Sequence, residues 1–204
     1  MNAPAKTNTT INTDPLTIDA SLIRAATACQ AKNDVRYYLE GIYISNTGII
    51  AGTNGHMMFV ANLSDIKPEK SNIIRLESKI PLSSDTCEFY FIDSKHGYVK
   101  HFNSAKHNDK HIHFSIIDGK YPDIDKLRKD FDKDSTALDC AYINPEHLSF
   151  IPKVFGKKNN GIKISFTKKD GVIKFTPAIS HHRDNNANPT LYIMPMRYPD
   201  NAQH

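Results

Sequence analysis

The chain has 204 residues, of which 39% are hydrophobic and 24% charged, a balance typical of a folded globular protein rather than a disordered one. No apolar run approaches the roughly 18 residues of a membrane-spanning helix, and the polar N-terminus lacks the apolar core of a secretory signal. Three widely spaced cysteines argue against a disulfide framework or a CxxC metal site and favour a reducing cytoplasm. A net charge of +4 permits contact with nucleic acid but does not demonstrate it.

The first structured segment is predicted to begin with a short strand at 16–18, followed by a helix that Asp19 caps and that ends near Ala31. The apolar positions of this helix repeat at helical spacing: Leu22, Ile23, Ala26 and Cys29. Three strands are predicted after it, at 36–39 running into 42–45, at 48–52 and at 57–61. Asn54-Gly55, between the last two, is a strong signal for a tight hairpin.

The same order of elements recurs in two further copies. In the second copy a strand opens at 73–76, Pro81 interrupts the helix, and three strands follow at 88–92, 97–102 and 111–117. The third copy opens at 138–141 and continues with a short helix, which Asn144 caps, Pro145 starts and Pro152 ends. Its strands are predicted at 161–167, 172–176 and 191–194. The sequence thus predicts an α+β fold of repeated strand-helix-strand-strand-strand units, which form antiparallel sheets with helices on one side.

Three separated segments resemble the bacterial sliding clamp, the beta subunit of DNA polymerase III. Residues 35–41 (VRYYLEG), followed by 53–56 (TNGH), resemble part of its middle domain, and 118–123 (DGKYPD) resemble the segment that closes that domain. Residues 192–197 (YIMPMR) are similar to the extreme C-terminus of the clamp. The three segments together are specific in order and spacing, and they cover most of residues 16–198. The repeated unit is also the building block of clamp domains, so the resemblance implies the DNA-clamp fold.

Composition, which predicts the tails and the linker, and the resemblance, which implies the domains, together divide the chain into five parts. These are a disordered tail at 1–14, a domain resembling the clamp's middle domain at 15–124, a linker at 125–136, a partial domain resembling the end of the clamp's last domain at 137–198, and a tail at 199–204. Clamps hold three domains of two units each, whereas three units are recognisable here. The clamp ring closes by joining the first domain of one subunit to the last domain of another, and nothing here corresponds to that first domain. A further departure is that Met57-Met58 stands where the family motif usually carries Arg-Leu.

The working site of the family is a shallow apolar pocket that captures linear peptides from polymerases and repair proteins. By the resemblance, this pocket involves Leu39, Thr53, Gly55, His56, Met57, Met58, Pro122, Lys126, Leu127, Ile193, Met194, Pro195, Met196 and Arg197. Methionine suits an adaptable groove because it is flexible and polarizable, and Arg197 and Lys126 can meet acidic or glutamine side chains of a peptide. Composition alone favours the alternative that these methionines only fill the core.

The family also touches DNA loosely, through charge on the helices that line its ring and without reading bases. The positions that would make such contacts are Arg24, Lys32, Lys153 and Lys157. The alternative for these residues is a solvated basic surface, because acidic residues are interleaved with the basic clusters.

No motif predicts catalysis, a cofactor or a metal. A phosphate-cradling glycine loop and a paired-carboxylate signature are both missing, and Asn54-Gly55-His56 is more simply a tight turn than a catalytic site. Four histidines cluster in sequence: His101, His107, His111 and His113. Two of them would share one strand face, but without cysteine or carboxylate partners at zinc-like spacing a polar hairpin is the better interpretation.

Two functions remain in competition. The leading hypothesis is a cytoplasmic, non-catalytic processivity or accessory factor for DNA replication, similar to a sliding clamp. It would contact double-stranded DNA weakly and without sequence preference, and it would bind the clamp-binding peptides of DNA polymerase or the clamp loader. The alternative is an adaptor or decoy on a partial clamp scaffold, which binds such peptides without encircling DNA. Self-association into a homo-oligomer is compatible with either function, and no membrane partner is expected.

Overall fold

The computed structural model describes residues 15–63, 67–103, 111–133, 141–156, 161–166, 171–178 and 187–196, with the side chains of 130–133 left aside. Within these ranges, the first unit contributes strands β1 (Leu16–Asp19), β2 (Ile42–Ile44), β3 (Ile49–Thr53) and β4 (Met57–Asn62). The second unit contributes β5 (Asn72–Leu76), β6 (Thr86–Phe91), β7 (His96–Phe102) and β8 (His111–Ile117). The third contributes β9 (Ile162–Phe166), β10 (Ile173–Pro177) and β11 (Thr190–Ile193). The helices are α1 (Ala20–Cys29), α2 (Ile124–Lys133), α3 (Pro145–Leu148) and α4 (Ile151–Phe155).

All these strands form a single antiparallel sheet in the order β1-β6-β7-β8-β5-β2-β3-β4-β11-β10-β9. The first two units exchange their first strands, since β1 pairs with β6 and β5 pairs with β2. Each unit is therefore completed by the other. The third unit joins the same sheet through β11, which pairs with β4 in the register Tyr192↔Met58.

Local sequence signals explain most of the elements. The Asp19 carboxylate accepts a hydrogen bond from the Ser21 amide at 2.7 Å and so caps α1 as predicted. The Asn144 side chain accepts one from the Glu146 amide at 3.0 Å, and Pro145 begins α3. The predicted strand at 111–117 matches β8.

Three predictions of local structure are wrong. Residues 36–39 do not form a strand: Tyr37–Leu39 is a 3₁₀ helix, closed by a hydrogen bond from the Leu39 amide to the Arg36 carbonyl. Pro152 does not end a helix but lies in the first turn of α4, where a missing amide proton costs nothing. The second unit has strands only, without even a shortened helix between β5 and β6 in its described residues.

The segment predicted as a linker instead forms most of helix α2, which was not predicted. The charged residues of this segment suggested a solvated linker, but Ile124 and Leu127 of α2 pack in an apolar cluster. The start of the third unit at 138–140, the 1–14 tail and the 199–204 tail lie outside the described residues.

The sheet carries one apolar cluster on each face. The α1 face contains α1, Val154 and Phe155 of α4, and the inward side chains of the strands, including Phe59, Phe89 and Ile193. A Cβ atom on Gly52 would overlap the backbone carbonyl of Ala26, so α1 lies directly on β3. The α2 face contains α2, Tyr121 and the opposite side chains of the strands; its buried members are Ala31, Leu39, Ile49, Ala51, Met58, Val60, Ile73, Tyr121, Ile124 and Tyr192. No helix in the described ranges is long and apolar enough to cross a bilayer.

Candidate peptide site

The β3–β4 hairpin is at the centre of the predicted site, and its own side chains hold the turn. The Thr53 hydroxyl donates to the Met57 carbonyl at 2.7 Å and accepts from the Gly55 amide at 3.1 Å. The Asn54 side chain accepts from the amides of His56 and Met57 at 2.9 and 3.0 Å. Gly55 has φ of 88°, in the region that favours glycine. These bonds support the interpretation of this motif as a tight turn.

Strand alternation divides the predicted pocket residues between the two faces of the sheet. Leu39 and Met58 pack in the α2-face cluster and are only 1% and 6% exposed. Met57 and Ile193 are buried in the α1-face cluster, on the opposite side of the sheet. The latter two side chains are therefore part of the core that supports α1, and a ligand on the α2 face does not reach them.

The α2 face adds two tyrosines that the sequence analysis did not include. Tyr192 pairs with Met58 across β11 and β4, and Tyr121 belongs to the same cluster. Alternation along β11 could have identified Tyr192, because it must face away from Ile193. Leu127 of α2 is half-buried and packs against this cluster, whereas Lys126 in the first turn of α2 and Pro122 before the helix are exposed.

An exposed apolar rim lies beyond the end of β11. Met194 and Met196 are 47% and 50% exposed, and Pro195 between them is half-buried. The Met194 amide donates to the His56 carbonyl, and the Met196 amide donates to the Tyr142 carbonyl, both at 2.8 Å. The first bond holds Met194 beside the hairpin turn, and the second ties Met196 to the segment that precedes α3. Arg197 lies outside the described residues.

His147 of α3 lies at the same rim and was missed from the sequence. Its ring stacks on His56, with 6.2 Å between the centroids and 23° between the planes. Its Nδ1 atom is buried without a hydrogen-bond partner in the described part of the chain. Burial lowers the pKa of His147, and the neighbouring His56 lowers it further. No pattern in the sequence links residues 56 and 147, because only the tertiary fold brings α3 to the hairpin.

Arg36 adds a fixed cation to this rim. Its guanidinium donates to both oxygens of Asp34, at 3.0 and 2.8 Å, and to the Asn54 carbonyl at 3.3 Å. The hydrogen bonds from Arg36 lower the pKa of Asp34 to about 2. The neighbours Val35 and Tyr37 are 97% and 54% exposed, so the cation is flanked by apolar surface.

The residues predicted to contact DNA have different environments. Lys32 follows α1 and is exposed, and Lys153 of α4 is exposed with its Nζ atom 4.2 Å from the centre of the Phe150 ring. Arg24 Nη1 donates to the carbonyls of Pro81 and Ser84 at 2.8 and 3.0 Å, so its guanidinium ties that loop to α1. Lys157 lies outside the described residues.

The clustered histidines occupy opposite faces of the second unit. His101 is buried, with Nδ1 3.1 Å from the Ser84 hydroxyl, whereas His111 and His113 are exposed with their rings 5.0 Å apart. His107 lies outside the described residues. Across the described residues, no group of three or more metal-ligating side chains is found.

The sequence matches no protein-family model, and it matches none of the curated proteins. Its fold is found in many solved structures. The DNA polymerase III subunit beta of Borrelia burgdorferi, solved with a natural product, aligns with a TM-score of 0.61 at 17% identity, over 92% of this chain and 64% of that one. The beta chain of Streptococcus pneumoniae aligns with a TM-score of 0.62 at 13% identity, over 97% and 67%. The sliding clamp of Pseudomonas aeruginosa aligns with a TM-score of 0.56 at 16% identity, over 97% and 69%.

These alignments run over nearly all of this chain and over about two thirds of each clamp. They therefore confirm the resemblance inferred from the three sequence segments at the level of the fold. The antiparallel sheet of repeated units in this chain is the fold of the bacterial DNA sliding clamp.

Proposed function

We propose that the chain is a non-catalytic, clamp-like accessory protein of DNA replication that binds linear peptides beside the β3–β4 hairpin. One observation carries the proposal: segments far apart in sequence meet at this hairpin, on a fold shared with sliding clamps. Leu39 and Met58 come from the first unit, Leu127 from α2, and Tyr192 and Met194 from the end of the third unit.

The chemistry of the site suits a peptide with a leucine or phenylalanine. The exposed Met194 and Met196 offer flexible, polarizable surface, and the buried cluster behind them offers an apolar floor. Burying one such side chain contributes about 1.5 to 3 kcal/mol, so a few polar contacts in addition give micromolar affinity. Lys126 and Arg197 supply cations for acidic groups of the peptide, and both can donate hydrogen bonds to a glutamine side chain.

The DNA part of the proposed function is weak and electrostatic. Lys32 and Lys153 are exposed near α1 and α4, which pack together on the α1 face. Lysines that contact phosphates, without side chains that read bases, predict an affinity for DNA that falls steeply as the salt concentration rises and does not depend on the DNA sequence. A salt-insensitive, sequence-selective complex would contradict this part.

A second candidate is an adaptor that binds peptides without encircling DNA. The observation that favours it is that Arg24, one of the residues predicted to contact DNA, is engaged by the carbonyls of Pro81 and Ser84. The mass of the protein in solution separates the two candidates, because a monomer cannot enclose a duplex. A monomer would leave only the adaptor, and a ring-sized oligomer would favour the clamp-like factor.

The peptide site is tested by fluorescence anisotropy with a labelled peptide of glutamine-leucine-phenylalanine type. We expect the intact protein to bind at micromolar concentration, and Met194→Ala and Arg197→Glu each to weaken binding without unfolding the protein. Ile164→Ala is a matched control, because Ile164 is 49% exposed, like Met194, but lies on the edge strand β9. Absence of binding at high micromolar protein, or binding untouched by both changes, removes the site from the proposal.

A further inference from the structure

The hydroxyl group of Tyr121 is buried beside the proposed peptide site without a hydrogen-bond partner. Tyr121 is 7% exposed and packs in the α2-face cluster with Leu39, Met58 and Tyr192. Its hydroxyl oxygen makes no hydrogen bond to any described residue. Buried polar groups are nearly always hydrogen-bonded, and an unpaired one destabilises a fold, so this hydroxyl requires an explanation.

The position of the hydroxyl is fixed by the packing of its ring. The ring stacks on Tyr43 with 4.8 Å between centroids and 6° between planes. Burial raises the pKa of Tyr121, and the nearby backbone of Thr53 offsets part of that rise, which puts the oxygen next to β3. The Thr53 hydroxyl is engaged within the turn, where it donates to the Met57 carbonyl and accepts from the Gly55 amide, and it makes no hydrogen bond with Tyr121.

The missing partner must be a hydrogen-bond acceptor. The Thr53 backbone lowers the pKa of Tyr121, which is the effect of a hydrogen-bond donor on the phenol oxygen. What Tyr121 still has to offer a partner is therefore its own O–H donor. A linear peptide brings such acceptors: a carbonyl oxygen at every residue and one more in each glutamine side chain. The side chains of Leu127 and Val172, which pack against the cluster, are only half-buried, so this part of its surface is open to solvent.

We infer that Tyr121 is a specificity-determining residue of the peptide site, whose hydroxyl donates a hydrogen bond to a carbonyl oxygen of the bound peptide. This inference rests on the proposed function and names one contact within it. Because this donor is already desolvated and oriented in the free protein, orienting it on binding costs little free energy. A peptide that lacks an acceptor at this point leaves the hydroxyl unpaired.

Tyr121→Phe tests the inference, because it removes one oxygen and keeps the stacked ring. Anisotropy with the labelled glutamine-leucine-phenylalanine type peptide is measured well below the Tm of each variant, so that stability does not enter the affinity. We expect the Kd to rise about tenfold, as for loss of one buried hydrogen bond, while Tm stays unchanged or rises. Tyr43→Phe, in the other ring of the stack, is the matched control and should bind as the unaltered protein does.

The outcomes separate this inference from the proposed function. If the unaltered protein binds the peptide and Tyr121→Phe binds it equally well, the inference is wrong and the peptide site survives. If the unaltered protein does not bind, both are wrong. A second peptide, with alanine in place of glutamine, identifies the acceptor. Loss of the Tyr121→Phe effect assigns the glutamine carbonyl, and persistence of the effect assigns a backbone carbonyl.

Discussion

Met57 and Met58 are neighbours in sequence, but their side chains lie on opposite faces of the sheet. Met57 packs in the α1-face cluster, and Met58 packs in the α2-face cluster. The same division separates Ile193 from Tyr192 on β11. A continuous motif on a strand therefore supplies a ligand with at most every second side chain, and the others support the fold.

The two faces also differ in what covers them near the hairpin. On the α1 face, the small residues Ala25 and Ala26 let α1 approach β3 so closely that only glycine fits at position 52. On the α2 face, Leu39 of the 3₁₀ helix and Tyr121 pack against the strands, and the exposed Met194 follows the end of β11. We expect changes on the α1 face to affect stability, and changes at the end of the α2 face to affect binding.

The largest effect is expected for Gly52→Ala, which forces a methyl group into the Ala26 carbonyl. Overpacking of this kind should lower the free energy of unfolding by about 3 kcal/mol, measured by urea denaturation. Gly161→Ala is a milder control, because its Cβ atom would lie 3.2 Å from the Ala178 Cβ atom, a contact that a shift of a few tenths of an ångström relieves. Equal stability of Gly52→Ala and the unaltered protein would mean that α1 does not lie on β3 in this way.

A smaller effect is expected for Met57→Ala, which opens a cavity in the α1-face cluster. The free energy of unfolding should fall by about 2 kcal/mol, while the peptide Kd measured on the folded protein stays the same. Met194→Ala should do the reverse, with a stability change within about 0.5 kcal/mol and a weaker peptide complex. If Met57→Ala weakens the complex as much as Met194→Ala does, the assignment of the two faces is wrong.

The smallest effect concerns pH at the rim between the faces. Because the pKa of His147 is lowered in the folded protein, the unfolded chain binds a proton more readily. Its contribution to stability is complete above the ordinary histidine value, roughly pH 6.5, and is lost as the pH falls below that value. The Tm of His147→Gln should therefore fall less between pH 7.5 and pH 5.5 than the Tm of the unaltered protein does. His113→Gln, which removes an exposed imidazole, should follow the unaltered protein; equal losses in all three would contradict the prediction.

The candidate site was predictable only in part. The turn at Asn54-Gly55 has the hydrogen bonds that its motif predicts, whereas Met57 and Ile193, which the resemblance assigned to the pocket, are buried on the other face of the sheet. Strand alternation was available from the sequence and would have corrected both. His147 and Tyr121 could not have been assigned, since their roles depend on contacts between segments that no local pattern connects.

The sequence by itself determined the local elements whose signals lie within a few residues. Short-range hydrogen bonds determine the Asp19 and Asn144 caps and the Asn54-Gly55 turn, and the alternation of apolar residues determines the β8 strand. Both kinds of signal depend only on residues that are close in sequence. Only the tertiary structure decided that β1 and β5 are exchanged between units and that α2 covers the second face. The physical reason is that strand exchange and helix docking depend on burying apolar surface contributed by distant segments, and that surface exists only once the chain has folded.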